Sequence, residues 1–143
     1  MADHIALEGV QHGEGYSIAS VEELGEGPGF RKVRSALGVT AFGVNAIVLP
    51  AGAETGFHYH DVQQELYFVH RGTIEIVFGD GAAFTLTPGS LARVDAPVAR
   101  KICNVSSQDA LYICVGGDGG YVGRDGRLPD GEQRMHDAGG SGA

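Results

Sequence analysis

The sequence predicts an all-β domain, and three features of the 143-residue chain support this prediction. Short apolar stretches recur at close spacing, as expected for a series of short strands. Segments rich in Gly, Pro and Asp separate them, such as residues 79–81 and 87–89, and these residue types favour tight turns. The chain shows no convincing helical repeat of apolar residues. This combination is typical of a β-sandwich or a barrel.

The first half of the chain supplies three of the predicted strands. Residues 1–14 are polar and are expected to form a mobile or edge-lying arm, and residues 16–21 form the first strand. Residues 30–37 alternate basic and apolar side chains, which predicts an edge strand. Residues 39–49 are apolar at both odd and even positions, so both faces of this strand are expected to be covered.

The second half supplies shorter strands joined by turns. In residues 73–78, Ile74, Ile76 and Phe78 alternate with polar residues, so these three side chains are expected to face the core. The other predicted strands after residue 64 occupy residues 65–70, 83–86, 91–94, 100–104 and 110–115.

The charge and composition exclude several classes of protein. The formal net charge is −8 and the sequence pI is about 5.1, which argues against binding to nucleic acid or to an anionic membrane surface. The two cysteines do not form a C-x-x-C motif and are too few for a disulfide scaffold. The N-terminus has neither the basic region nor the apolar run of a signal peptide, and no apolar stretch reaches the length of a membrane span. These features predict a cytoplasmic protein.

Three residues that can bind a metal ion, His58, His60 and Glu65, lie within eight positions. Residues two apart on a strand share a face, so the imidazoles of His58 and His60 are expected to point the same way. Residues 61–64 are polar and suit a turn, after which Glu65 begins a return strand and faces the imidazoles. Two imidazoles and one carboxylate form a common site for divalent metals, with coordination positions left open.

These residues, together with Gly52 and Gly72, resemble the first signature of the cupin family at every spacing. The resemblance covers roughly residues 39–115 and implies a jelly-roll barrel, also called a double-stranded β-helix. We therefore expect residues 1–116 to form a single cupin barrel with an N-terminal arm. Residues 117–143 are glycine-rich and polar and are expected to form a partly disordered tail, notably at residues 139–141. The resemblance also implies a homodimer.

The chain departs from the family at the second signature, where a histidine supplies the fourth metal ligand. Asn104 occupies the place of the family's asparagine, but position 100 is arginine, which has no lone pair for a metal ion. Strand parity points Arg100 into the barrel, where a buried guanidinium needs an anion. Three anions are candidates: Glu65 in a bidentate pair, an anionic substrate, or Asp95.

Tyr67 has the same strand parity as Glu65, so its phenol is expected either to line the ligand pocket or to fill the core. Cys114 is expected to be a small buried apolar residue. Arg100 and Tyr67 are thus the candidate ligand-binding residues beside the candidate metal ligands.

The resemblance implies a protein that binds a divalent transition metal (Fe, Mn, Ni or Zn) and a small anionic metabolite inside the barrel. Oxygenase, isomerase and lyase (including decarboxylase) reactions would all fit such a site. The alternative is a non-catalytic, metal-free module for a small ligand, in which Arg100 pairs with Glu65 in place of the metal. A third possibility is metal-free catalysis with a histidine base, but Asp61 is expected to point away from His60.

Overall fold

A computed structural model describes residues 5–129 and 135–137 of the chain. The described residues form fourteen strands and two short helical turns. The strands are β1 Gln11–Gly13, β2 Tyr16–Ile18, β3 Gly29–Arg31, β4 Gly43–Leu49, β5 Ala53–Thr55, β6 Tyr59–His60, β7 Gln64–Arg71, β8 Ile74–Phe78, β9 Ala83–Leu86, β10 Leu91–Val94, β11 Arg100–Cys103, β12 Ala110–Gly117, β13 Gly126–Arg127 and β14 Met135–Asp137. A 3₁₀ turn covers Val21–Glu23, and helix α1 covers Val33–Leu37.

Two five-stranded antiparallel sheets form the body of the protein. The first has the strand order β10-β7-β12-β4-β3, and the second has the order β14-β5-β11-β8-β9. Side chains from both sheets meet in one core, including the fully buried Leu49, Val69, Ile74 and Ile102. Each such side chain stabilises the fold by about 1.5–3 kcal/mol relative to exposure. This arrangement confirms the predicted all-β, double-stranded β-helix fold.

Both glycines of the first signature adopt backbone conformations that disfavour other residues. Gly52 and Gly72 have φ angles of 75° and 79°, in the left-handed region. Gly72 is also crowded, because a Cβ atom at this position would lie 2.8 Å from the Cα of Ala110. The turn after β7 therefore needs glycine for its backbone angle and for the close approach of β12.

The prediction of a strand over residues 30–37 is wrong for most of that segment. Only Gly29–Arg31 is a strand, and Val33–Leu37 forms one helical turn that ends at Gly38, whose φ is 71°. Val33 packs against Val48 and its neighbours on the outer face of β4. The turn therefore covers the second apolar face of β4, and this burial outweighs the alternating pattern of the sequence.

The N-terminal segment also differs from the single strand predicted for residues 16–21. Tyr16–Ile18 pairs with Gln11–Gly13 in a separate two-stranded sheet, and Val21–Glu23 forms the 3₁₀ turn. Val21 packs against the outer cluster on β4 and β12, which draws this part of the chain out of an extended conformation.

The chain beyond β12 pairs with earlier strands at two places, once in a separate two-stranded sheet and once at the edge of the second five-stranded sheet. β13 pairs with β6, and β14 pairs with β5. The disorder predicted around residues 139–141 lies outside the described residues. Across residues 5–129 and 135–137, none of the helices is long and apolar enough to cross a membrane.

Candidate metal centre

Three strand segments bring His58, His60 and Glu65 together. His58 lies opposite Arg100, and the two backbones exchange a pair of N–H···O=C hydrogen bonds of 2.9 Å. His60 ends β6, and Glu65 lies at the start of β7. The ligand atoms of the three side chains all lie within 4.8 Å of one another. The local spacing of the signature is sufficient to make these groups converge.

The two imidazoles approach the same carboxylate oxygen. The Nε2 atoms of His60 and His58 lie 3.0 Å and 4.0 Å from Oε1 of Glu65. Within the described part of the chain, the buried Nε2 of His60 faces this carboxylate oxygen and no other hydrogen-bond partner. A buried ring nitrogen without a partner is costly unless another group, such as a cation, occupies its lone pair.

Both histidines are held through their other ring nitrogen. Nδ1 of His58 lies 3.2 Å from the carbonyl oxygen of Gly56, and Nδ1 of His60 lies 2.8 Å from Oδ1 of Asp125. Both partners accept hydrogen bonds, so each Nδ1 carries the proton and each Nε2 presents a lone pair. Metal-binding histidines are commonly oriented in this way. The residues therefore fit a divalent transition metal held by two nitrogens and a carboxylate.

Asp125 is a part of the site that the sequence reasoning missed. Besides the contact with His60, its Oδ2 accepts hydrogen bonds from the backbone N–H groups of Val62 and Gln63 at 2.9 Å and 3.0 Å. The side-chain amide of Gln63 donates to its Oδ1. Asp125 belongs to a glycine-rich stretch interpreted as tail, and nothing in its local sequence indicates a contact with a residue 65 positions away.

Arg100 is completely buried beside Glu65. Its Nη1 donates to the carbonyl oxygen of Val98 at 2.8 Å, while Nη2 lies 3.5 Å from Oε1 of Glu65. Among the described residues, neither Nη2 nor Nε finds a hydrogen-bond partner. The bidentate pair with Glu65 is therefore not formed. Asp95, another candidate anion, instead accepts a hydrogen bond from Gln64 at 2.7 Å.

The carboxylate of Glu65 receives two further contacts from the barrel interior. The Tyr67 hydroxyl donates to Oε1 at 2.7 Å, and the Cys114 thiol lies 3.2 Å from Oε2. Burial, strengthened by nearby negative charge, raises the pKa of both groups well above their ordinary values, so both remain protonated donors. Cys114 was expected to be only a small apolar filler, so its contact with the carboxylate is a second feature that the sequence reasoning missed.

The surroundings of the two histidines shift their pKa values in opposite directions. Burial works against ionisation of Glu65, but the proximity of His60 and the hydrogen bond from Tyr67 lower its pKa to about 2. Burial also opposes protonation of His60, yet Glu65 and Asp125 together raise its pKa above 6.5. For His58, burial dominates, and the charge of Arg100 helps to lower its pKa below 6.5.

Solvent reaches the cluster mainly at the imidazole of His58. His58 exposes 24% of its side chain, whereas His60 and Glu65 expose 10% and 12%. A surface groove of about 360 Å³ is lined by Glu65, Leu66 and Arg93 but by neither histidine. This groove therefore lies beside the cluster of His58, His60 and Glu65 and does not enclose it.

Comparisons with known proteins agree with the fold. The family model for the cupin domain matches residues 46–116. No curated protein sequence matches the chain. A cupin protein from Bacteroides fragilis has a TM-score of 0.61 and 24% identity, covering 73% of this chain and 85% of the other. A protein with a double-stranded β-helix domain from Klebsiella pneumoniae has a TM-score of 0.63 and 18% identity, covering 79% and 96%.

A third similar structure is the DMSP lyase DddQ from Ruegeria pomeroyi. It has a TM-score of 0.56 and 20% identity, and the match covers 64% of this chain but only 45% of the lyase. A structure of DMSP lyases is matched over a similar extent, 62% of this chain and 44% of the other. The chain thus spans less than half the length of these lyases, and at this identity the likeness shows the fold alone.

Proposed function

Because the chain belongs to the cupin family, with the family's domain at residues 46–116, we propose that it binds a divalent transition metal and a small anionic molecule. His58, His60 and Glu65 hold the metal, and Arg100 holds the anion. Iron, manganese, nickel and zinc all suit this set of ligands.

The observation that carries the metal assignment is the buried Nε2 of His60. It lies 3.0 Å from Oε1 of Glu65, while Nδ1 of the same ring carries the proton that Asp125 accepts. In the neutral imidazole a lone pair at Nε2 therefore faces a carboxylate oxygen, which is unfavourable unless a cation lies between them. A cation shared with Glu65 and His58 would satisfy it.

The anion assignment depends on the guanidinium of Arg100. Its Nη2 and Nε atoms are buried and have no hydrogen-bond partner among the described residues, and the nearest carboxylate oxygen is 3.5 Å away. A carboxylate or enolate of a bound molecule could accept from these donors in a planar, paired geometry. Tyr67, which holds Glu65 from the inner side, would complete the lining of this ligand site.

A bound metal would supply a Lewis acid or would activate water or dioxygen. The protein's own groups would then orient the anionic substrate through Arg100, while Tyr67 and Cys114 keep the Glu65 carboxylate ionised and in place. Oxygenase, isomerase and lyase reactions all fit these roles. The likeness to DMSP lyases does not choose among them, because fold does not determine function.

Elemental analysis of protein purified without chelators tests this proposal. We expect about one transition-metal ion per chain, and we expect His58→Ala to lose it because the site is left with two ligands. His70→Ala is the matched control, since His70 lies on β7 but is exposed and outside the cluster. Wild-type protein without metal, or equal metal content in both variants, would refute the assignment.

A metal-free ligand-binding module is the second candidate, and the proximity of Arg100 to Glu65 favours it. In that case Arg100 would neutralise the carboxylate in place of a metal. The same analysis separates the two candidates, because a metal-free module would retain no metal while still binding a small anion in a manner that depends on Arg100.

We also propose that the protein is a cytoplasmic homodimer. The outer face of the first sheet supports a dimer, because Leu66 and Leu91 lie on paired strands and expose 41% and 61% of their surface. Size-exclusion chromatography with light scattering would show a dimer, and Leu91→Glu would shift it toward the monomer.

A further inference from the structure

We infer that Asp125 is a positioning residue for the metal site, so that docking of residues 118–129 and metal binding stabilise each other. This inference rests on the proposed metal binding. It concerns the segment between β12 and β14, which lies outside both cupin signatures, and it assigns that segment a part in the site.

The contacts of Asp125 hold the imidazole of His60 in a fixed orientation. One carboxylate oxygen accepts from Nδ1 of His60 at 2.8 Å, and the other accepts from the backbone N–H groups of Val62 and Gln63. Only 9% of the side chain is exposed. The carboxylate therefore connects the imidazole to the turn between β6 and β7, and it determines both the tautomer and the ring plane of His60.

Loss of the Asp125 carboxylate would change which ring nitrogen of His60 has a lone pair for a metal ion. Without an acceptor at Nδ1, the neutral imidazole can place its proton on Nε2, where Glu65 lies 3.0 Å away. That tautomer presents an N–H group instead of a lone pair to the shared space and cannot bind a metal ion there. Metal binding would then require the proton to return from Nε2 to Nδ1. The imidazole ring would also have to be held in place without the hydrogen bond to Asp125.

The segment that carries Asp125 is docked by further contacts of the two residues that follow it. Gly126–Arg127 pairs with Tyr59–His60 as a two-stranded sheet. Arg127 forms a forked ion pair with Asp61, with distances of 2.7–2.9 Å. Gly126 packs beside His60, where a Cβ atom would be in ordinary van der Waals contact, 3.4 Å from Cε1 of the imidazole. The segment is therefore packed against the strand that carries His60.

Reciprocal coupling follows from this geometry. If the docked segment favours the metal-binding state of His60, metal binding must favour the docked segment by the same factor. The coupling is expected to be in the range found when an outer carboxylate is removed from a metal-bound histidine, about 10- to 100-fold in affinity.

The test is a titration of metal-free full-length protein with Zn²⁺ against a chromophoric chelator. We expect Asp125→Ala to weaken Zn²⁺ binding about 10- to 100-fold relative to wild type. The matched control is Asp61→Ala, which removes the surface ion pair of the same segment but leaves the contact between Asp125 and His60. It is expected to weaken binding by less than about fivefold.

Two further readouts distinguish positioning from general structural support. Nitrogen-15 NMR of the metal-free protein should show the Nδ1–H tautomer of His60 in wild type and in Asp61→Ala, and its loss in Asp125→Ala. Hydrogen exchange should show that Zn²⁺ increases the protection of residues 118–129 in wild type but not in Asp125→Ala.

Equal affinities and tautomers in wild type and Asp125→Ala would overturn the inference while leaving metal binding intact. Wild-type protein that binds no Zn²⁺ would overturn the proposed function, and the inference with it. If Asp125→Ala does not fold, Asp125→Asn replaces it. That variant keeps the shape, but its NH2 group must face either Nδ1 of His60 or the N–H groups of Val62 and Gln63. Affinity equal to wild type would again count against the inference.

Discussion

Replacing Glu65 with glutamine should lower the stability of the metal-free protein in a pH-dependent way. The side chain keeps its shape, and its remaining oxygen can still accept from Tyr67, but the negative charge beside Arg100 is lost. The pKa of Glu65 falls from an ordinary value of 4.5 to about 2 in the folded protein. Because each pKa unit corresponds to about 1.4 kcal/mol, ionised Glu65 contributes about 3 kcal/mol to the free energy of unfolding.

The sign of the pH dependence follows from the lowered pKa. Above pH 4.5 the carboxyl group is ionised in both states, and the full contribution of about 3 kcal/mol is present. As the pH falls, the unfolded state takes up the proton first, and the contribution disappears as the pH passes through about 2. The difference between wild type and Glu65→Gln should therefore be about 3 kcal/mol at pH 7 and about half of that at pH 3.

Urea unfolding of chelator-treated protein at pH 7 and pH 3 measures both values. Glu22→Gln is the control, because Glu22 forms an exposed ion pair with Arg71, and its loss should cost less than about 1 kcal/mol. An equal deficit for Glu65→Gln at both pH values would mean that the loss of an acceptor oxygen, and not the loss of charge, sets the contribution of Glu65. No deficit at pH 7 would refute the assigned electrostatics of the cluster.

Three other outcomes are expected. In NMR titrations of metal-free protein, His60 should titrate above pH 6.5 because of Glu65 and Asp125, and His58 should titrate below it because it is buried beside Arg100; equal values would contradict the assigned contacts. Gly72→Ala should lower the free energy of unfolding by about 1–3 kcal/mol, measured by urea unfolding, because of its positive φ and the approach of Ala110. Calorimetry with acetate, a monoanion, and the Zn²⁺-loaded protein should show at least about 30-fold weaker binding for Arg100→Met, with partial retention in Arg100→Lys, since truncating one member of a buried charge pair costs about 2 kcal/mol or more. Unchanged affinity would remove Arg100 from the anion site.

The features that could be predicted from the sequence are those encoded locally. The convergence of His58, His60 and Glu65 follows from a two-residue offset and one turn, so spacing was enough to predict it. The alternation of residues 73–78 likewise identified Ile74 and Ile76 as core residues, and both are buried. In these cases the neighbours that decide the structure lie a few positions away.

The features that could not be predicted depend on distant neighbours. Residues 33–37 read as a strand, but the helical turn is selected by the apolar outer face of β4, which the local pattern does not contain. Asp125 is separated from His60 by 65 positions and lies among glycines, where a carboxylate usually indicates only solvent exposure. The thiol of Cys114 reaches Glu65 only because β12 pairs with β7 in one particular register.

The charges around the proposed metal site indicate what an arginine at position 100 would change in it. Glu65 and Asp125 each carry one negative charge, Arg100 carries one positive charge, and the imidazoles bind metal in their neutral form. A divalent ion would leave this buried cluster with one excess positive charge, whereas a neutral histidine at position 100 would leave none. Uncompensated buried charge costs several kcal/mol, so the metal-loaded site needs one anionic group. In the proposed metal-loaded site, Arg100 would therefore make the binding of the metal and of a monoanionic ligand mutually favourable.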